Sequence, residues 1–293
     1  MKRAKFIWLL TVPLVLTSFV GAWGHDGHRR INYMASRQLS GPFGQFLRQH
    51  SEPLKWYAAA PDYNKKIDPG EFHRHFIDAD HYDVYPFNQI PKNYDTLIAT
   101  YGEDAVKKYG IAPWAIENTC NLIIDMMKQD RWDDAIYYMG VLGHYIADLH
   151  QPLHTIINYD GQFTGNDGIH FRWEERLVEE YIDIIKPVGK IETVDHPWNY
   201  AMKIVRESFP LHQQILEADN KARQLLSEDQ AKALDTYDIL DFEKPYLDVL
   251  YKETESILKD RMGRAAIRLA SIWQYCWEPV SYTHLTLPTI CSV

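Results

Sequence analysis

The run Gly143-His144-Tyr145-Ile146-Ala147-Asp148-Leu149-His150-Gln151-Pro152-Leu153-His154 most constrains what this chain can fold into. It lies within a stretch of helical periodicity. His144 and Asp148 are four residues apart, so they share one helix face, one turn from each other. Pro152 ends the helix just before His154. Further on, His170 and Glu174 repeat the i, i+4 spacing. Imidazoles and carboxylates on facing helices are how a helical protein surrounds metal ions.

The remaining pattern agrees with helices. Residues 28–50 carry apolar positions at Ile31, Met34, Leu39, Phe43, Phe46 and Leu47, interrupted by Gly41-Pro42. Residues 113–130 open on a proline, a common first helical residue. Residues 132–149 place Ile136, Met139, Leu142 and Ile146 on a buried stripe. Residues 170–185, 198–218 and 242–277 supply further helices, with a kink expected at Pro210. No alternating run or hairpin signal argues for strands. The main non-helical insertion is expected at 62–113, which holds Asp62, His73, His75, Asp78, Asp80 and His81. A long segment crowded with ligand-type residues is more often a site than a linker. The expected fold class is therefore all-α, one multi-helix domain over residues 23–280.

The first 22 residues stand apart. Lys2, Arg3 and Lys5 precede an apolar run from Phe6 to Val20, and Val20-Gly21-Ala22 suits a cleavage site. This reads as a secretory signal peptide, with an uncleaved anchor as the alternative. Cleavage after Ala22 would free the α-amine of Trp23, which could chelate a metal together with its own carbonyl oxygen. The expected destination is secreted or periplasmic. Residues 281–293 carry no charge, end a helical stretch abruptly and read as a non-native tail.

The formal charge is −9, and loss of the three leader cations would take it to −12. So acidic a protein is a poor non-specific binder of duplex DNA. Three cysteines make no disulfide framework. Cys120 and Cys276 could bridge, but two separately buried thiols are the simpler reading.

Trp23-Gly24-His25-Asp26-Gly27-His28, Asp62, His75-Phe76-Ile77-Asp78, His144-x3-Asp148-x5-His154 and His170-x3-Glu174 occur in this order. Taken together, they resemble the S1/P1 nuclease and zinc-dependent phospholipase C superfamily over the whole mature chain. The resemblance implies a helical domain of that type with three zinc ions (Zn2+). It implies that Asp62, His75, His144 and Asp148 hold one ion, and that His154, His170 and Glu174 hold a second. Trp23, through its amine and carbonyl, would hold the third with His28 and Asp148. Asp148 would then bridge two metals, and Asp62 and Asp148 would be the catalytic carboxylates. Zincs about 3.5–4 Å apart can generate hydroxide near neutral pH for attack on phosphorus.

Two substrate classes are consistent with the residues. Lys65, Phe76, Asp78 and Asn166 resemble the nuclease branch. There Phe76 would stack a base, Asp78 would accept from a base edge and Lys65 would contact phosphate. Single-stranded nucleic acid or nucleotides are the first expectation. Glu174 in place of an aspartate resembles the phospholipase branch, where Asp26, Tyr63 and Phe72 would cage a choline head group. A non-catalytic metal-binding protein is a third reading, disfavoured because structural zinc is closed by four protein ligands. A monomer without protein partners is expected. His73, His81 and His150 are candidates for orienting a ligand or a substrate phosphate, whereas His25, His50, His196, His212 and His284 have no such support.

Overall fold

The computed structural model describes residues 23–234, 240 and 242–281. The proposed leader, most of the proposed tail and His284 lie outside them. Among the described residues there are helices and no strands. None of these helices is long and apolar enough to cross a membrane.

The chain begins with α1 (Gly24–Ala35), α2 (Gly41–Gln49), α3 (Ser51–Tyr57) and α4 (Ala60–Asn64). Gly41-Pro42, expected to interrupt a helix, instead starts one: Gly41 takes φ 70° and Pro42 sits in the first turn. The segment expected to be non-helical carries α5 (Ala79–Tyr82), α6 (Tyr94–Tyr101) and α7 (Glu103–Tyr109). These are single or double turns set between prolines and glycines. Asn93 starts α6 by accepting a hydrogen bond from the Thr96 amide, which offsets one orphan donor of the first turn. Such short helices carry too little periodicity to be read from sequence.

Next come α8 (Ala112–Lys128) and α9 (Trp132–His150). The expected helix at 170–185 is divided. It runs as α10 (Ile169–Phe171), a π-helical turn over Arg172–Arg176, and α11 (Leu177–Tyr181). It is followed by α12 (Pro197–Ser208), α13 (His212–Arg223), α14 (Glu228–Ala233) and α15 (Glu243–Ser281). Pro210 does more than kink a helix: it sits in a 3-10 turn, Phe209–Leu211, that separates α12 from α13.

Helix α9 is central and packs on α1, α3, α8, α12 and α15. Every residue from Met139 to His150 is buried. That corrects the expectation of one buried stripe, because a helix enclosed on all sides is buried all round. Two glycines let its neighbours approach. A Cβ on Gly140 would come within 2.4 Å of Tyr57 Cβ, and one on Gly143 within 2.0 Å of Asn32 Oδ1. Asn32 occupies that space and donates to the Leu54 and Gly140 carbonyls at 2.9 and 3.0 Å. Helices α1, α3 and α9 are thereby tied at one point, one turn from His28. Cys120 and Cys276 are buried thiols. They are unbridged, as expected, with Cys120 on α8 and Cys276 on α15.

Candidate metal centre

Seven elements converge on one buried region. Helix α1 supplies His28, α4 supplies Asp62, and His75 follows the 3-10 turn Phe72–Arg74. Helix α9 supplies His144 and Asp148, and the 3-10 turn Pro152–Thr155 supplies His154. His170 and Glu174 come from α10 and the π turn. The extra residue in a π turn re-aims the side chains around it and is frequent at functional sites. Here Glu174 Oε2 lies 3.0 Å from His170 Nε2 and 3.3 Å from His154 Nε2.

The donor atoms form three groups that could hold metal ions: Asp62–His75–His144, His28–His144–Asp148 and His154–His170–Glu174. Within each group they lie within 4.8 Å of one another. The first two groups adjoin. The His28 and His144 rings stack at 3.6 Å, so His144 faces both groups, where the sequence reading gave it one. Asp148 turns Oδ1 to His28 Nε2 at 3.3 Å. Its Oδ2 faces His75 Nδ1 at 3.0 Å and His144 Nε2 at 3.4 Å.

The outward ring nitrogens are anchored on backbone. His144 Nδ1 meets Ala58 O at 2.7 Å, His154 Nδ1 meets His75 O at 2.9 Å, and His170 Nδ1 meets Tyr159 O at 3.1 Å. Donation from Nδ1 to a carbonyl leaves the Nε2 lone pair facing the centre. Burial is the leading influence on His28, His75 and His144 and holds their pKa values well below the ordinary range; His154 is lowered in the same way. They are therefore neutral imidazoles, the metal-binding form. For His170 burial also acts downward and is the largest single influence, but Glu174, Asp160 and the Tyr159 carbonyl together outweigh it and the net shift is upward. Burial pushes the Asp148 carboxyl well above its usual range. It acts the same way on Asp62, where Lys65 and His75 more than offset it.

Several buried atoms here make no hydrogen bond: both nitrogens of His28, Asp62 Oδ2, both oxygens of Asp148 and Glu174 Oε1. A buried polar group without a partner costs on the order of 1–3 kcal/mol. So many in one place fit a set of cations, and nitrogen with carboxylate oxygen is the donor set of zinc.

Trp23 is fully buried at the edge of this region. Its indole donates to Ala147 O at 2.7 Å, next to Asp148, and its ring lies 5.1 Å from Trp173. Its backbone is left-handed, φ 57°.

The expected substrate residues are dispersed. Lys65 places its ammonium on Asp62 Oδ1 at 2.9 Å, nearly buried, so it braces that carboxylate and is not free for a remote phosphate. Phe76 is half-buried, with its ring 5.4 Å from exposed Phe72. Asp78 is buried, and burial together with Asp80 raises its carboxyl to about 8. Tyr63 is exposed and lies against His25. Asp26 is paired with Arg29 at 3.1 Å, so its charge is already matched. Asn166 is a correction: it is fully buried, and its amide donates to Leu216 O, Asp219 and Asn220 on α13. It anchors that helix and is not presented to a substrate. His81 stacks on Tyr109, and His150 meets Ile146 O and Arg268, so neither touches the ligand set. His73 meets the Phe72 ring edge to face.

Three residues at the centre were missed from sequence. Gln151 donates to Glu174 Oε2 at 2.8 Å. Glu71 lies 3.4 Å from His75 Nε2. Its four-residue spacing from His75 was a readable signal. His25, set aside above, lies 3.7 Å from Asp62 Oδ2.

An enclosed, helix-built set of neutral imidazoles and carboxylates with unmatched lone pairs makes this an α-protein with three groups that could hold metal ions. The chain belongs to the S1/P1 nuclease family, whose model matches residues 23–276. The resemblance expected from the residues and the all-α fold class are both borne out. Nuclease S1 of Aspergillus oryzae (strain ATCC 42149 / RIB 40) is 25% identical over 193 residues, 60% of this chain and 61% of that protein. The match thus spans about three fifths of that relative's own length. Among solved structures, the alpha toxin from Clostridium absonum is similar at TM-score 0.49 and 14% identity, covering 90% of this chain and 64% of the toxin. The Clostridium perfringens alpha-toxin from avian strain SWCP gives 0.49 and 14%, covering 86% and 63%.

Proposed function

We propose that this protein is a three-zinc hydrolase of phosphate esters, acting first on single-stranded nucleic acid and 3′-nucleotides, after export and removal of residues 1–22. The convergence of unmatched buried donor atoms on three adjoining groups, in a member of the S1/P1 nuclease family, carries the reading. Asp62, His75, His144 and Asp148 would hold one ion, and His154, His170 and Glu174 a second. His28 and Asp148, with the amine and carbonyl of Trp23, would hold the third. When bound, zinc lowers the pKa of coordinated water and neutralises charge on a phosphate.

The chain's own residues do the positioning. Asp148 offers one oxygen to each of two groups and sets their separation. Lys65 holds Asp62 ionised and aimed. Phe72 and Phe76 offer an aromatic ledge beside His75 on which a base can stack. Neutral Asp78 could donate to as well as accept from a base edge. The group of His154, His170 and Glu174 has three protein ligands, which leaves room for water or substrate and supports catalysis over a closed structural site.

A second reading, a phospholipase C acting on a phospholipid head group, is favoured by two exposed aromatics, Tyr63 at 52% and Phe72 at 51%. The Asp26–Arg29 pair weakens it, because the carboxylate of the supposed cage is already matched. The test is turnover of single-stranded DNA, 3′-nucleotides and phosphatidylcholine by zinc-loaded mature protein. Turnover of the nucleic substrates alone is expected. Turnover of lipid alone would overturn the first reading.

A further inference from the structure

His75 differs from His144, His154 and His170 in how its outward nitrogen is held. Nδ1 faces inward, 3.0 Å from both Asp148 Oδ2 and His144 Nε2. Nε2 faces away from the groups, is buried and makes no hydrogen bond. The acidic oxygen near it is Glu71 Oε1, at 3.4 Å. His144, His154 and His170 each have a backbone carbonyl at the corresponding place.

Glu71 is not there by accident of packing. It is buried at 3% exposure, although it lies in the turn-rich segment between α4 and α5. Arg74 donates to its Oε2 at 2.8 Å, and the Tyr145 hydroxyl donates to its Oε1. Tyr145 directly follows His144 on α9. The Glu71 carboxylate therefore links the segment bearing His75 to the helix bearing His144 and Asp148. At 3.4 Å the His75 contact sits at the loose edge of hydrogen bonding. A shift of a few tenths of an ångström makes it a charge-assisted bond.

We propose that Glu71 is the positioning residue for His75: it holds the ring proton on Nε2, so that the Nδ1 lone pair is presented to the metal. The inference rests on the metal-centre reading above and adds a residue to it. A carboxylate behind a ligating imidazole fixes its tautomer and ring orientation and raises its basicity. Arg74 and Tyr145 in turn aim the carboxylate. None of the three would touch substrate.

The test is the zinc affinity of full-length mature protein, by competition with a chromophoric chelator. It is read beside the cobalt(II) absorption spectrum and the unfolding midpoint of the metal-free form. Glu71→Gln should bind one of its zinc ions about 10- to 100-fold more weakly, as expected for loss of an oriented outer carboxylate. Its cobalt spectrum should change while the metal-free midpoint stays close to wild type. Tyr145→Phe keeps the carboxylate and removes one of its donors, so it should give a smaller loss in the same direction. Arg74→Gln separates positioning from loop stability: it should lower the midpoint more than it lowers affinity. Unchanged zinc affinity in both Glu71→Gln and Tyr145→Phe would overturn the inference. So would an affinity loss that merely follows the midpoint across all three variants. Wild-type protein that binds no zinc would instead overturn the metal-centre reading, and this inference with it.

Discussion

Oδ1 of Asp148 lies 3.3 Å from Nε2 of His28, on the side of the carboxylate opposite the oxygen that meets His75. One side chain on α9 thereby joins two groups that share His144 of the same helix and whose other members come from α1, α4 and the segment that follows it. The arrangement needs Asp148 ionised once metal is present, yet burial pushes its carboxyl upward. Without cations it is an unmatched buried acid.

Asp148→Asn therefore separates function from stability. The amide keeps the shape but puts an NH2 group where a bridging oxygen stood. Activity should fall at least ~100-fold, beyond what loss of an outer-shell group produces. The metal-free protein should be no less stable, because an acid that burial keeps from ionising, at a cost to folding near neutral pH, has been removed. Turnover assays and urea unfolding under chelator read the two effects. Full activity in the variant would remove the bridging role.

A blocked Trp23 amine tests the third ion. Protein carrying extra residues ahead of Trp23 should retain helical content, since the indole still reaches Ala147. It should hold one fewer zinc and turn over slowly. An extended form with normal turnover would exclude the amine as a ligand.

The metal-free protein should lose stability on mild acidification, in a direction fixed by the histidines. Their folded pKa values lie below the ordinary 6.5, with burial as the leading cause. As pH falls through 6.5, the unfolded chain takes up protons that the folded chain refuses. The stability present above 6.5 is therefore lost as pH falls toward the depressed folded values. Asp148, Asp78, Glu175 and His170, all shifted upward, work the other way, so the measurement is made in a background carrying Asp148→Asn, Asp78→Asn and Glu175→Gln, which removes the opposing carboxyls. The unfolding free energy from urea titrations under chelator should drop between pH 7.5 and pH 5.5 by an amount on the order of 1 kcal/mol or more. A flat profile would mean that the imidazoles are not buried and neutral.

Much of the centre was legible because helices impose a period. His144-x3-Asp148 and His170-x3-Glu174 announce themselves as one-face pairs, and Pro152 marks where the helix stops before His154. The π turn at Arg172–Arg176 was not legible, since no residue pattern there departs from an ordinary helix. Asn166 was misread because its neighbours in sequence gave no hint of the α13 groups that bury it. Glu71 was passed over although it stands four residues before His75. Its partner Tyr145 is remote in sequence, and only the fold brings them together. The short helices α5, α6 and α7 were read as loop because each owes its helicity to caps and tertiary packing.

Gly143→Ala tests the packing that brings α1 to α9. The added Cβ would meet Asn32 Oδ1 at 2.0 Å, and Asn32 cannot move without giving up the Leu54 and Gly140 carbonyls. Destabilisation of about 1–3 kcal/mol is expected from such overpacking. Zinc affinity at the His28 group should weaken with it. Urea unfolding and chelator competition measure both, and a variant as stable as wild type would show that the contact gives way freely.

The most direct measurement is the zinc content of purified mature protein, counted per chain before and after dialysis against chelator and again for Asp148→Asn. About three ions per chain are expected from the three donor groups, with activity lost on chelation and restored by zinc. Asp148→Asn should hold fewer. A wild-type chain that retains no zinc, or that turns over phosphate esters equally well without it, would contradict the account.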